Sequence, residues 1–204
     1  MIRCGKEFHL HNNPAQWSAD YEEFIKAMLD SVSVKPRHVA LVGVSEGALP
    51  AVTVASRLRQ VTHLAIIGDG GFSMRRALNE LDRKGDFVAK VDEAWPRIAA
   101  DSLSVDRKWI GHPSRYWHEI MDVDPLPLYL KLDIPILVGI GERDRSVPVE
   151  SAMYLASEYR KAGKSNLTLM VYPGANHLLR TKGRSYRPEF FRALGELIRQ
   201  DHRP

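Results

Sequence analysis

The run His38-Val39-Ala40-Leu41-Val42-Gly43-Val44 is apolar at successive positions, so as a strand it would have no solvent face. Such a strand belongs in a parallel sheet with helices on both sides. It leads directly into Ser45-Glu46-Gly47 and then into a helical run carrying Ala48, Leu49, Val52, Ala55 and Leu58. Three further apolar runs read as strands, Thr62 to Gly68, Ile134 to Ile140 and Leu167 to Tyr172. Pro135 stands near the start of the second of these, where a missing donor costs least. Helical patterns fill 18–33, 46–59, 149–162 and 187–200. Ser18 is the expected N-cap of the first helix, with Asp20, Glu22 and Glu23 favouring its positive end. Strands alternating with helices specify an α/β fold with a mostly parallel sheet flanked by helices.

A chain of 204 residues suits one domain, 1–204. The stretch 72–132 is too long for a simple crossover and carries its own helical patterns. It is broken at Pro96, Pro113, Pro125 and Pro127 and holds three of the four tryptophans, so it reads as a helical lid or cap inserted in that domain. With 29 basic against 25 acidic residues and no basic stripe interleaved with aromatics, nucleic acid is not an expected partner. No apolar run is long enough to span a membrane, and the N-terminus has no apolar signal segment, which points to a cytoplasmic protein. The single cysteine, Cys4, excludes an internal disulfide framework and a cysteine-based zinc site.

The chemistry begins at Gly43-Val44-Ser45-Glu46-Gly47, a G-x-S-x-G. Its position between a buried strand and a helix is the setting of a nucleophile elbow, a strained turn that exposes a serine hydroxyl. Small residues at Gly43 and Gly47 let strand and helix approach, and Pro50 in the first helical turn costs no hydrogen bond. The alternative is that Ser45 only caps the helix. A nucleophilic serine needs a base, and the base an orienting carboxylate. His177 follows the last strand and Asp144 the one before it, giving the order Ser45, Asp144, His177, each beyond the carboxyl end of a strand.

Gly141-Glu142-Arg143-Asp144-Arg145-Ser146-Val147-Pro148 and Gly174-Ala175-Asn176-His177, taken with the elbow, resemble the α/β-hydrolase superfamily, especially its esterase and prolyl-oligopeptidase or serine-aminopeptidase-like members. The resemblance covers about residues 18 to 200. It implies Ser45 as nucleophile, His177 as base and then acid, Asp144 as the group that fixes the imidazole tautomer, and the backbone N–H of Glu46 as an oxyanion donor. It implies neither a metal nor an organic cofactor. Asp69, after the second strand, is the alternative acid, since some relatives place the acid there.

Other groups have plainer readings. His9 and His11 would point the same way on a strand, but no third metal ligand stands nearby. Trp95, Trp109, Tyr116 and Trp117 line an acyl pocket or form the core of the lid. Arg180, Lys182, Arg184 and Arg187 form a solvated loop or greet an anionic substrate.

Superfamily members usually carry about four strands and a helix before the elbow, and a loop there gives a second oxyanion donor. Residues 1–17 hold at most one strand and no His-Gly or Gly-Gly pair. One edge of the elbow strand is therefore expected to be bare, a liability for aggregation. An incomplete N-terminus is the favoured account. A homodimer covering the sheet edge and coverage by residues 2–10 are the others. The expected function is a serine hydrolase acting on a small-molecule carboxylic ester, or on a thioester or short peptide. A non-catalytic binding or scaffold protein of the same fold is the competing class, and an acyltransferase using the same residues is a third.

Overall fold

The computed structural model describes residues 5–86 and 90–200. Cys4 and residues 2–4 of the segment considered as edge cover lie outside them.

A four-stranded, wholly parallel sheet forms the centre, from β1 (Ala40–Val44), β2 (His63–Ile67), β5 (Ile136–Gly141) and β6 (Leu167–Tyr172), in the order β1-β2-β5-β6. Every residue of β2 and β5 is buried, as expected for strands covered on both faces. On one face α2 (Pro14–Ser31), α3 (Ala48–Arg57), α7 (Leu126–Leu130) and α8 (Val149–Lys161) pack around Val52, Leu64, Ile66, Tyr129, Val138 and Leu155. On the other, α9 (Arg187–Gln200) sets Phe190 and Leu194 against Ala65, Ile67 and Leu137.

Strand β1 departs from the expectation of cover on both faces. Val42 and Val44 are 43% and 42% exposed. Their register partners in β2 are Ala65 and Ile67, which α9 buries, so the shelter of that helix ends one strand short of β1. Among the described residues no strand pairs with the outer edge of β1, as the shortage of earlier strands implied. Tyr21, Phe24 and Met28 of α2 are exposed at helical spacing.

The N-terminal readings also need correction. Helix α2 begins four residues before Ser18. Asn13 is its N-cap, accepting from the Gln16 N–H at 2.8 Å, and Pro14 occupies the first turn. Ser18 is buried inside the helix and donates to the Pro14 carbonyl at 2.6 Å. His9 and His11 lie on a helix, α1 (Lys6–His11), and not on a strand, so two-residue spacing turns them apart. His9 meets Lys108 and His11 meets Glu7, each at 3.2 Å.

Between β2 and β5 come α4 (Met74–Lys84), α5 (Val91–Ala100), a two-residue ladder of β3 (Lys108–Trp109) with β4 (His112–Pro113), α6 (Ser114–Ile120) and α7. Ser73 caps the start of α4, and Gly85, in the left-handed region, ends it. Leu78, Val91, Ile98, Tyr116, Trp117 and Met121 form a core separate from the two that flank the sheet. Among the described residues no helix is long and apolar enough to cross a membrane.

Candidate active site

The carboxyl ends of all four strands face one rim, and the chemistry collects there. At the end of β1, Ser45 has φ 53, a left-handed conformation unusual for a residue with a side chain. A single 3-10 turn, Ser45–Gly47, then leads into α3. A Cβ on Gly43 would lie 2.7 Å from the Gly47 carbonyl oxygen and 2.8 Å from the Ala48 Cα, so only glycine lets strand and helix approach this closely. Ser45 caps neither element: the N-cap of the turn is Val44 and that of α3 is Gly47.

Across the sheet, the loops after β5 and β6 bring Asp144 and His177 together, with His177 Nδ1 2.8 Å from Asp144 Oδ2. The Asp144 side chain is fully buried. Its other oxygen accepts from the backbone N–H groups of Ser146 and Val147 at 2.8 and 3.0 Å. A carboxylate only accepts, so Nδ1 carries the proton and Nε2 is left with its lone pair. The hydrogen bond to Asp144 raises the His177 pKa above the ordinary histidine value; burial opposes this, and the charges of Asp144 and Asp69 add to it.

Gly68 was not among the residues singled out from sequence, yet it shapes the site. It ends β2 with φ +67, and a Cβ there would lie 2.8 Å from His177 Cε1 and 2.9 Å from Nδ1. The imidazole rests on bare backbone. A glycine directly after a buried strand, level with the elbow, was the available signal. Asn176 steadies the histidine loop, its Oδ1 accepting from Leu178 and Arg180 N–H.

Asp69, the alternative acid, is not the hydrogen-bond partner of His177. It borders a cavity beside Ser45, and its Oδ1 accepts from the Gly70 N–H at 2.7 Å. Protein crowds the carboxyl even though the residue keeps an edge open to the cavity. Its pKa is pushed up to about 7, chiefly by desolvation and further by the charge of Asp144, against the Gly70 N–H and His177.

That cavity has a volume of about 290 Å³. The 72–132 segment supplies much of its wall through Phe72, Leu78, Leu81, Tyr116, Trp117 and Ile120, while Ser45, Glu46, Asp69 and Ser146 stand on its polar side. The Glu46 carboxylate lies 3.5 Å from His112, whose ring stacks on Tyr116 at 4.1 Å. Of the four aromatics singled out from sequence, Tyr116 and Trp117 border the cavity. Trp95 instead stacks on His118 and carries the Arg75 guanidinium over its face, and Trp109 packs edge-on against Trp117. In the basic loop, Arg184 pairs with Glu189 and Arg187 donates to the Leu178 carbonyl, both at the exposed surface. Among the described residues no group of three or more His, Cys, Asp or Glu is placed to hold a metal ion.

A family model described as BAAT / acyl-CoA thioester hydrolase C terminal matches residues 20–200. The chain belongs to this family. The match takes in the whole sheet together with Ser45, Asp144 and His177. Esterase EstD of Thermotoga maritima is 27% identical over 83 residues, which cover 41% of this chain and 20% of that one. The human acylamino-acid-releasing enzyme is 22% identical over 163 residues, covering 78% and 20%. The chain thus spans about a fifth of the length of these two relatives.

Among solved structures, esterase Pf2001 of Pyrococcus furiosus superposes with a TM-score of 0.63 at 17% identity, over 95% of this chain and 64% of that one. Est1E of Butyrivibrio proteoclasticus gives 0.62 at 15%, over 92% and 72%. The BAAT / acyl-CoA thioester hydrolase family member described here has the α/β-hydrolase fold.

Proposed function

We propose that the chain is a serine hydrolase that cleaves a carboxylic ester, a thioester or a short acyl-peptide bond through an acyl-enzyme on Ser45. The observation that carries this reading is the His177–Asp144 hydrogen bond of 2.8 Å, which leaves Nε2 as the free base on the same rim as Ser45.

His177 Nε2 takes the proton of the Ser45 hydroxyl as Oγ bonds to the substrate carbonyl carbon. The negative charge moves to the carbonyl oxygen, where the Glu46 backbone N–H stabilises it. As the tetrahedral intermediate collapses, the bond to the leaving group breaks and His177 returns the proton to it. Water then repeats the sequence, His177 removing its proton, and the acid is released with Ser45 regenerated. Asp144 holds the imidazole in the required tautomer and stabilises its cation. The 72–132 segment acts as the cap over the acyl group.

A fluorophosphonate probe tests the nucleophile. Wild type should label and Ser45→Ala should not. A folded wild type that stays unlabelled and turns over neither p-nitrophenyl esters nor acyl thioesters would return the chain to a non-catalytic binding role. Competition between water and an added alcohol or thiol separates hydrolase from acyltransferase by the products formed.

A further inference from the structure

The polar side of the cavity carries two carboxyl groups next to the nucleophile, and the mechanism leaves them unexplained. Two carboxyl side chains border the space next to Ser45, Glu46 and Asp69. The register Val44↔Ile67 brings the ends of β1 and β2 level, and each acid stands two residues beyond it. One guanidinium, that of Arg145, also borders the cavity, and Arg76 lies close by. Arg145 donates to Asp86 at 3.1 Å, with a side chain mostly in solvent, and Arg76 lies over the Phe72 ring at 3.7 Å. Glu46 has His112 at 3.5 Å as its basic neighbour, and Asp69 has its own Gly70 N–H together with the field of His177.

A second observation concerns Tyr116. It is 2% exposed, borders the same cavity, and its hydroxyl makes no hydrogen bond of normal geometry with the protein. Burial, then the charge of the Glu46 carboxylate and a loose hydrogen bond to it, raise its pKa. Two carboxyl acceptors and a tyrosine hydroxyl loosely held by one of them fit a hydrogen-bond donor of positive charge. Among the described residues Arg145 is the one guanidinium that borders the cavity, and it is paired with Asp86, whereas a cation would offset the burial that disfavours the Asp69 anion. The indole of Trp117 on the same wall favours a cation further.

We infer that this cavity selects an acyl group bearing an amino substituent a few bonds from the scissile carbonyl, its ammonium seated between Glu46 and Asp69. The inference rests on the proposed hydrolase reading for its assay but not for its binding measurement. Asp69, disfavoured as an anion by burial, is the group that gains most from the cation.

Near-isosteric p-nitrophenyl esters test it: butyrate, 3-aminobutyrate, 3-hydroxybutyrate and hemisuccinate. The expected kcat/KM for the amino ester exceeds that for butyrate by at least about tenfold, with the hydroxy ester between them and the succinate at least about tenfold below butyrate. In Glu46→Gln and Asp69→Asn the amino-to-butyrate ratio should fall toward one and the succinate penalty should shrink, whatever happens to the separate rates. A wild-type ratio within twofold of one, or a ratio both variants leave intact, overturns the inference while the hydrolase reading stands. The Kd values of the matching p-nitroanilides on Ser45→Ala read the same order without turnover. A chain that hydrolyses nothing yet ranks these ligands amino, hydroxy, butyryl, succinyl keeps the inference and loses the hydrolase reading, and any other ranking removes the inference.

Discussion

The two sides of the rim are held by different forces. On the β5–β6 side nearly every polar group is fixed by a hydrogen bond: Asp144 by two backbone donors and His177, and Asn176 by two more. On the β1 side, Ser45 is held by backbone conformation and close packing, with φ 53 and a Gly43 that tolerates no side chain against the Gly47 carbonyl. The base and acid are therefore oriented locally, by their own loops. The hydroxyl is placed by a strand that has one neighbour among the described residues. Damage to β1 should move the nucleophile and leave the His177–Asp144 pair undisturbed.

The largest expected effect tests whether the two sides act as one unit. Ser45→Ala and His177→Ala should each lower kcat/KM by about 10³-fold or more, and the double variant should be little worse than either. Additive losses in steady-state kinetics would mean that the two residues work independently, and the proposed proton transfer would fail.

Glycine substitutions then separate the two sides by geometry. In Gly68→Ala the new methyl meets the His177 ring at a backbone conformation that L residues rarely adopt, and kcat should fall by about 10²-fold. Gly47→Ala meets no atom within 4 Å at φ −72 and should stay within about threefold of wild type. The reverse order would show that the elbow, and not the seat of the histidine, is the tighter constraint.

The pH dependence follows from the same contacts. His177 must be neutral to act as base, and its pKa is raised, so the acid limb of kcat/KM should lie above 6.5. Asp69→Asn removes one of the charges that hold this pKa up, and the limb should move to lower pH. Stability supplies an independent reading. Unfolded Asp69 titrates near 4 and folded Asp69 at about 7, so the folded state holds an extra proton between those values. The corresponding stability is fully present below pH 4 and lost as pH rises through about 7. Urea melts should show wild type weakening over that window by at least about 1 kcal/mol relative to Asp69→Asn. Parallel stability curves would mean that the cavity is wet enough to solvate the carboxylate.

How much of this was legible in the sequence depends on whether a feature is local. The residues 167–172 and 187–200 coincide with the strand and helix found there, because their patterning is complete within each segment. The G-x-S-x-G announced the close approach of strand and helix because Gly43 and the helix it meets lie within five residues, although Gly47 has room for a side chain and is not needed for it. Ser18 misled as a cap because Asn13 and Pro14, a better cap and first turn, stand just upstream. His9 and His11 misled because alternation over a few residues cannot separate a short helix from a strand. Gly68 stayed hidden because its reason is a ring from a loop more than a hundred residues later. The acidity of the cavity was hidden too, since Glu46 and Asp69 are neighbours only through the register of two strands.

The smallest expected effect bears on β1 itself. Val44 and Ile67 are register partners on one face of the sheet, in strands of five residues with similar apolar composition. Ile67 is 3% exposed beneath α9, and Val44 is 42% exposed. Ile67→Ala removes buried methyl groups and leaves a cavity, which should cost about 2–5 kcal/mol. Val44→Ala removes groups already partly in water and should cost about 0.5–1 kcal/mol, a shift near the resolution of a urea melt. The pair of values measures how far the shelter of α9 extends. If Val44→Ala costs as much as Ile67→Ala, and the cost grows with protein concentration, a second copy covers this face in solution. The nucleophile would then be placed by two neighbours, and the contrast between the two sides of the rim would vanish.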